Sequence, residues 1–224
     1  MHENIVRIKA VANLLKGIGQ PYVFVGGATV SLYNTAPAVA KAIRPTEDVD
    51  VVIELISYKD YAEIDARLRA MGFVNDITSG VICRYRIQGM IVDIMPTEPV
   101  MGFSNRWYPE GFRHAITHNL DAETKVLIFS LPYFLASKWE AHRARGGKDL
   151  RASKDFEDMV YIFENCNDFD QQLLNGPEHV RNYLQKEFSG MIDHPDFEEA
   201  VSGHMEDADN TGVILQLKSA LSLN

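Results

Sequence analysis

Apolar residues Ile5, Ile8, Val11, Ala12 and Leu15 recur at intervals of three and four, the period of one buried helix face. The spacing predicts a helix over residues 5–18, stopped by Gly17 and Gly19-Gln-Pro21. Tyr22-Val-Phe-Val25 follows as a β-branched and aromatic run ending on Gly26-Gly27, after which residues 28–32 read as helical. Residues 34–45 are less regular. Asp48-Val-Asp-Val-Val-Ile-Glu54 alternates polar with apolar and then turns fully apolar, as a buried strand does when its first residues reach a solvent-filled cleft. Because side chains alternate across a strand, Asp48 and Asp50 share a face and Val49 points to the other.

Helical spacing returns over residues 58–71, with Gly72 as the end signal. Residues 81–87 and 90–95 read as a hairpin around Gln88-Gly89, and Asp93 is the one charged residue of its strand. Residues 129–143 predict a helix with Pro132 in its first turn, Gly146-Gly147 interrupts, and residues 153–163 predict another with Ser153 as N-cap. Beyond Asn165 the chain is rich in Asp, Asn and Glu, with helical patches at 180–188 and 213–221. Mixed strand and helix gives way to helix alone near residue 128. The expectation is therefore an α+β (α/β) fold, with a mixed-sheet domain over 1–128 and an acidic helical region over 129–224. No repeat or low-complexity tract interrupts it.

At 224 residues, 46% hydrophobic and 24% charged, the chain can bury a sizeable core. No apolar run approaches the roughly 20 residues of a membrane span, and the first residues carry no secretory pattern. Cys83 and Cys166 are the only cysteines and form no CxxC, so a reducing cytoplasm is expected. The net charge is −9 and unevenly spread. Residues 138–154 hold six bases (Lys138, Arg143, Arg145, Lys148, Arg151 and Lys154) against two acids, whereas residues 155–224 hold three bases against fifteen acids. The basic segment reads either as a solvated helix and loop or as a surface facing a polyanion.

Chemistry concentrates in one ordered set: strand, diglycine turn, helix, Asp48-x-Asp50 at a strand end, and Asp93 in a later strand. Should the two strands be neighbours, the three carboxylates converge, and unit charges ~4 Å apart repel by about 4 kcal/mol at an effective dielectric near 20. Magnesium or manganese would relieve that repulsion through hard oxygen ligands and keep positions open for phosphate. In two-metal chemistry a further carboxylate takes the acceptor's proton, the role expected of Asp93. Glycines at 26 and 27 let backbone amides approach a phosphate. His114 and His118 are four apart and could share a helix face, but lack a third zinc ligand. Gly146-Gly147-Lys148-Asp149 lacks the remaining residues of a phosphate loop, and no dinucleotide fingerprint or serine-hydrolase elbow is present.

The motifs Val25-Gly-Gly-Ala-Thr-Val-Ser-Leu-Tyr33, Arg44-Pro-Thr-Glu-Asp-Val-Asp50, Val92-Asp93, Lys138 and Lys154-Asp-Phe-Glu-Asp158 resemble the nucleotidyltransferase superfamily, and within it the AbiEii-type toxins of toxin–antitoxin pairs. The resemblance spans about residues 20–163. It implies a nucleotidyltransferase-fold mixed sheet flanked by helices and a nucleoside triphosphate such as ATP on Gly26, Gly27 and Ser31. It also implies metal on Asp48 and Asp50, completion of the site by Lys138 and Asp158, and a cognate antitoxin. The turn carries Gly27 where relatives often have Ser, the interval to Asp48 is longer than in minimal members, and Lys154 replaces the usual arginine. Plainer readings exist: Lys138 snorkels over apolar surface, Asp155 offsets a helix dipole, and Asp158 pairs with Lys154 one turn back. The acceptor is expected to be an RNA end, such as that of tRNA, if the basic segment borders the cleft, and a small hydroxylated molecule if it does not. The competing expectation is a degenerate transferase fold that binds nucleotide or a basic protein partner without turnover.

Overall fold

The computed structural model describes residues 2–35, 43–147, 149–205 and 211–222. Most of the irregular stretch at 34–45 and Lys148 of the basic segment lie outside the described residues. The element order is α1 (Glu3–Leu15), β1 (Tyr22–Val25), a 3₁₀ helix (Gly27–Tyr33), β2 (Asp48–Ile53), α2 (Tyr58–Ala70), β3 (Val74–Asn75), β4 (Arg84–Ile87) and β5 (Met90–Pro96). Then come α3 (Tyr108–Arg113), β6 (Ile116–Asn119), β7 (Lys125–Ile128), α4 (Leu131–Ala144), α5 (Lys154–Asn165), α6 (Phe169–Leu174), α7 (Glu178–Ile192), α8 (Phe197–His204) and α9 (Thr211–Ser222). The chain divides into two compact units, one of residues 1–29 and 44–130, the other of residues 30–43 and 131–224.

The first unit is built on a seven-stranded mixed sheet of order β3-β4-β5-β2-β1-β7-β6. Its centre pairs β2 antiparallel to β1 and parallel to β5. Apolar positions of these strands, among them Phe24, Val51, Val52 and Val92, are fully buried, as is the inward face of α1 at Ile8, Val11 and Leu15. One polar residue joins that face: Asn4 is wholly buried. Its amide donates to the Arg44 carbonyl (3.2 Å) and its carbonyl accepts from the Thr46 amide (2.9 Å). Asn4 thereby ties the approach to β2 onto α1, satisfying polar groups that burial would otherwise leave unpaired.

Ser57 and Asp60 form a reciprocal capping box at the start of α2. The β4–β5 hairpin turns on Gln88 and Gly89, both at positive φ (48° and 79°), the signature of the two-residue turn whose twist suits antiparallel strands. Its strand begins at Arg84, later than the pattern at 81–87 suggested, because Val81–Cys83 is used in a turn. The segment after Gly27 is a 3₁₀ helix rather than an α-helix, started by the Gly26 carbonyl accepting from both the amide and the hydroxyl of Thr29 (3.2 and 2.9 Å). Strands β6 and β7 were not legible in the sequence, being four residues each with little alternation.

In the second unit α4 is buried on nearly every side, from Leu131 through Ser137 and again at Trp139 and His142, as a central helix must be. Helices α5, α6 and α7 pack on it. Ser153 caps α5, accepting from the Phe156 amide (3.2 Å), and the same hydroxyl lies 2.7 Å from His142 Nδ1. The imidazole stacks on Trp139 with ring centroids 5.0 Å apart.

Two measurements test these local arguments. Gln88→Asn or Gln88→Gly relieves a non-glycine residue of a left-handed conformation and should stabilise the protein by about 0.5–1 kcal/mol in urea denaturation. Burial holds the His142 imidazole below its ordinary value of 6.5, so the unfolded chain takes up that proton first as pH falls. The stability contributed is therefore intact above pH 6.5 and declines as pH drops toward the folded-state value. His142→Gln should shrink the loss of unfolding free energy between pH 7.5 and pH 5.5 relative to the parent.

Candidate active site

Register brings the acids together in the first unit. Asp50 is the direct cross-strand partner of Asp93 between β2 and β5, Val25 is the partner of Asp50 on β1, and Arg84 is the partner of Asp93 on β4. Aligned partners point to the same sheet face, and Asp48, two residues before Asp50, points there also. The three carboxylates thus share one face, Asp48 and Asp50 by alternation and Asp93 by register, while Val49 and Val51 are buried on the other.

The glycine turn is shaped around this cluster. Gly26 has φ of +72°, and a Cβ placed on it would stand 2.6 Å from Asp50 Cγ. Only a residue without a side chain leaves room for that carboxylate and adopts that backbone without strain. Ser31, on the 3₁₀ helix that follows, has a buried hydroxyl oxygen without a hydrogen-bond partner among the described residues, a group whose bonding capacity is unmet.

An arginine that sequence reading missed organises the cluster. Arg84 Nε and Nη2 donate to the two oxygens of Asp93 (2.8 and 2.7 Å), and Nη2 also donates to Asp48 Oδ2 (3.1 Å). These hydrogen bonds to Asp93 raise the guanidinium above its usual value despite the opposing cost of its partial burial. The signal was available: a two-residue turn at Gln88-Gly89 pairs Ile87 with Met90, and counting outward sets Arg84 opposite Asp93. Cys83, next in the chain, is buried, and burial together with the charges of Asp93 and Asp50 pushes its thiol up to about 12, so it stays an uncharged thiol.

Among the described residues, no group of three or more His, Cys, Asp and Glu side chains is arranged to close on one metal ion. Magnesium needs no such cage, since it commonly takes one or two carboxylates and fills its octahedron with water and substrate phosphate. Asp48 and Asp50, two hard oxygen donors on one face beside a glycine cradle, fit that requirement. A cavity of about 670 Å³ lined by Glu54, Ser57, Tyr58, Thr97, Val100 and Arg113 follows the C-terminal ends of β2 and β5, away from Asp48 at the start of β2, and contains none of the expected site residues.

In the second unit Lys138 is an ion-pair centre instead of a snorkelling side chain. Its ammonium lies 2.5 Å from Asp158 and 3.2 Å from Asp155, and all three side chains are largely buried. Asp155 also pairs with Arg145. Asp158 therefore has its partner on α4, rather than resting only on Lys154 one turn back. Two further arginines of the basic segment pair with acids: Arg143 with Glu187 of α7, and Arg151 with Asp149, Asp196 and Glu199. His114 and His118 do not share a helix face; His114 ends α3 and its Nδ1 lies 3.0 Å from the Glu110 carbonyl, whereas His118 is on β6.

Gly26→Ala should cost about 1–3 kcal/mol, from a left-handed backbone and an overlap with Asp50. A denaturation double-mutant cycle with Asp50→Gly, which removes the overlapping group, should recover the steric part and reveal coupling between the two positions.

Comparison with known proteins extends the reading. A family model described as nucleotidyl transferase AbiEii toxin, type IV toxin–antitoxin system, matches residues 12–210. No curated protein matches the sequence. A solved antigenic nucleotidyltransferase-like protein from Paracoccidioides brasiliensis aligns at 19% identity and a TM-score of 0.50, over 92% of this chain and 95% of its own. The antibiotic-resistance factor ANT(2'')-Ia aligns at 12% identity and a TM-score of 0.52, over 84% and 94%. At such identities the two structures speak for the fold, a nucleotidyltransferase-like mixed sheet with flanking helices. With the acids of β2 and β5 gathered beside a glycine turn and nearly the whole sequence matched, the chain belongs to the AbiEii nucleotidyltransferase family.

Proposed function

We propose that the protein is a metal-dependent transferase that moves a nucleoside monophosphate from a triphosphate, such as ATP, to an acceptor hydroxyl, and that it is the toxin of a toxin–antitoxin pair. The reading rests chiefly on the placement of Asp48, Asp50 and Asp93 on one sheet face beside Gly26. In the reaction the acceptor oxygen bonds the α-phosphorus, the bond to the bridging oxygen breaks, and pyrophosphate leaves. Asp48 and Asp50 would hold magnesium or manganese, which when bound neutralises the polyphosphate and makes the acceptor hydroxyl more acidic.

The chain's own groups supply the rest. The Gly26-Gly27 turn admits phosphate oxygens close to the backbone, and the Ser31 hydroxyl donates to one of them. Asp93 takes the proton from the acceptor; each of its oxygens has a second lone pair beyond the one directed at Arg84. Lys138 and Asp158 are kept in the reaction on the strength of the family motif. Pairing of Arg143, Arg145 and Arg151 with acids weakens the charge argument for that segment as an RNA strip, so the acceptor is sought among both RNA ends and small hydroxylated molecules. An antitoxin partner and a cytoplasmic setting accord with the family; no helix among the described residues is long and apolar enough to cross a membrane.

Incubation with each α-labelled nucleoside triphosphate, magnesium or manganese, and either total RNA or a panel of hydroxylated small molecules should transfer label to one acceptor class. Chelation should abolish transfer, and Asp48→Asn or Asp50→Asn should lower it roughly a thousandfold. Label that binds without transfer would favour a nucleotide-binding module, and transfer unchanged in both variants would refute the site.

A further inference from the structure

The cavity of about 670 Å³ in the first unit lies apart from the acid cluster, and its lining has a chemistry of its own. Past the ends of β2 and β5 the two chain segments continue side by side, because the Thr97 amide donates to the Ile53 carbonyl (3.1 Å) and the Leu55 amide to Thr97 Oγ1 (3.4 Å). Glu54 and Glu98 thereby open onto one space, together with the apolar side chains of Ile56, Val100 and Pro109. Ile56 is 71% exposed and Tyr58, which also lines the cavity, 73%, so folding leaves this apolar surface uncovered. The volume falls in the range of about 300–1,000 Å³ typical of small-molecule sites.

Charge decides what kind of molecule fits. Neither the Glu54 nor the Glu98 carboxylate has an ion pair or hydrogen bond among the described residues. The positive groups of the lining are engaged: Arg113 pairs with Glu110, and at the amino end of α2 Asp60 Oδ2 accepts from the Ile56 and Ser57 amides (3.1 and 2.8 Å) while Ser57 Oγ accepts from the Asp60 amide (3.2 Å). The cavity therefore favours a cation over an anion. Among the described residues no group of three or more His, Cys, Asp and Glu side chains is placed to close on a metal ion, and apolar walls offer a hydrated metal no ligands. An organic ammonium meets both halves of the lining, with hydrocarbon for the apolar wall, charge for the carboxylates and the Tyr58 ring face as a further attraction. We infer that this cavity binds a small aliphatic diamine, whose ammonium groups pair with Glu54 and Glu98 and whose methylene chain lies against Ile56, Val100 and Pro109. The site is separate from the transfer chemistry and does not rest on that reading.

Calorimetric titration of the full chain at low salt with octamethylenediamine tests it. One molecule should bind per chain, octylamine should bind several-fold more weakly, and the corresponding diol should not bind measurably. Glu54→Gln and Glu98→Gln should each weaken the diamine about threefold and the double variant about tenfold, and added salt should lower the parent's affinity. Ile56→Ser should weaken it about threefold by removing hydrocarbon contact. Glu54 and Ile56 are exposed, so their substitution leaves the core untouched, and they decide the matter if Glu98→Gln does not fold. Affinity unchanged in Glu54→Gln and Ile56→Ser would assign the binding to general attraction by an acidic surface and overturn the site. Equal affinity for the diol, displacement by magnesium but not by sodium at the same ionic strength, or no binding of the diamine would each overturn it as well.

Discussion

Like charges held close together on a sheet face are the constraint around which the first unit is arranged. Asp48, Asp50 and Asp93 are brought onto one side of adjacent parallel strands by register, and water cannot fully screen a group as buried as Asp93. A cation has to be nearby, and the fold supplies one covalently in Arg84, held in place by a two-residue hairpin. The glycine turn serves the same end from the other side: Gly26 gives up its side chain so that the Asp50 carboxylate fits against the backbone. Turn, strand pair and hairpin each carry one part of the arrangement, and each would be locally unremarkable without the others.

The second unit handles charge differently. Along the chain its bases come first and its acids afterwards, and read as a line this looks like a basic strip followed by an acidic tail. In space Arg143 meets Glu187, Arg151 meets Glu199, and Lys138 sits between Asp155 and Asp158. The exposed pairs add little to stability, since solvent screens them. The Lys138 cluster is different, because removing Lys138 would take the cation away from two largely buried carboxylates, Asp155 and Asp158. The cost of breaking such a cluster holds its members in position.

Much of the architecture was legible from periodicity. The face of α1, the strand at 48–53, the hairpin turn, the helix after Pro132 and the Ser153 cap all follow from local spacing, because one buried face and the propensities of Gly, Pro and Ser act over a few residues. Short elements were not legible: β3, β6 and β7 have two to four residues each, too few to show a period, and β7 joins the sheet through β1, far away in sequence. The 3₁₀ geometry after Gly27 was likewise hidden, since it depends on how Thr29 bonds back to Gly26.

The candidate site divides along the same line. That Asp48 and Asp50 share a face follows from the two-residue period of a strand, and that Arg84 opposes Asp93 follows from a two-residue turn; both are written in the sequence by itself. That β5 lies beside β2 in a register setting Asp93 against Asp50, that the third arm of Arg84 reaches Asp48, and that Lys138 finds Asp158 were decided only by tertiary structure. Alternation and turn length are properties of neighbouring residues. Strand order and ion pairing across helices depend on which apolar faces bury together, and no local pattern carries that choice.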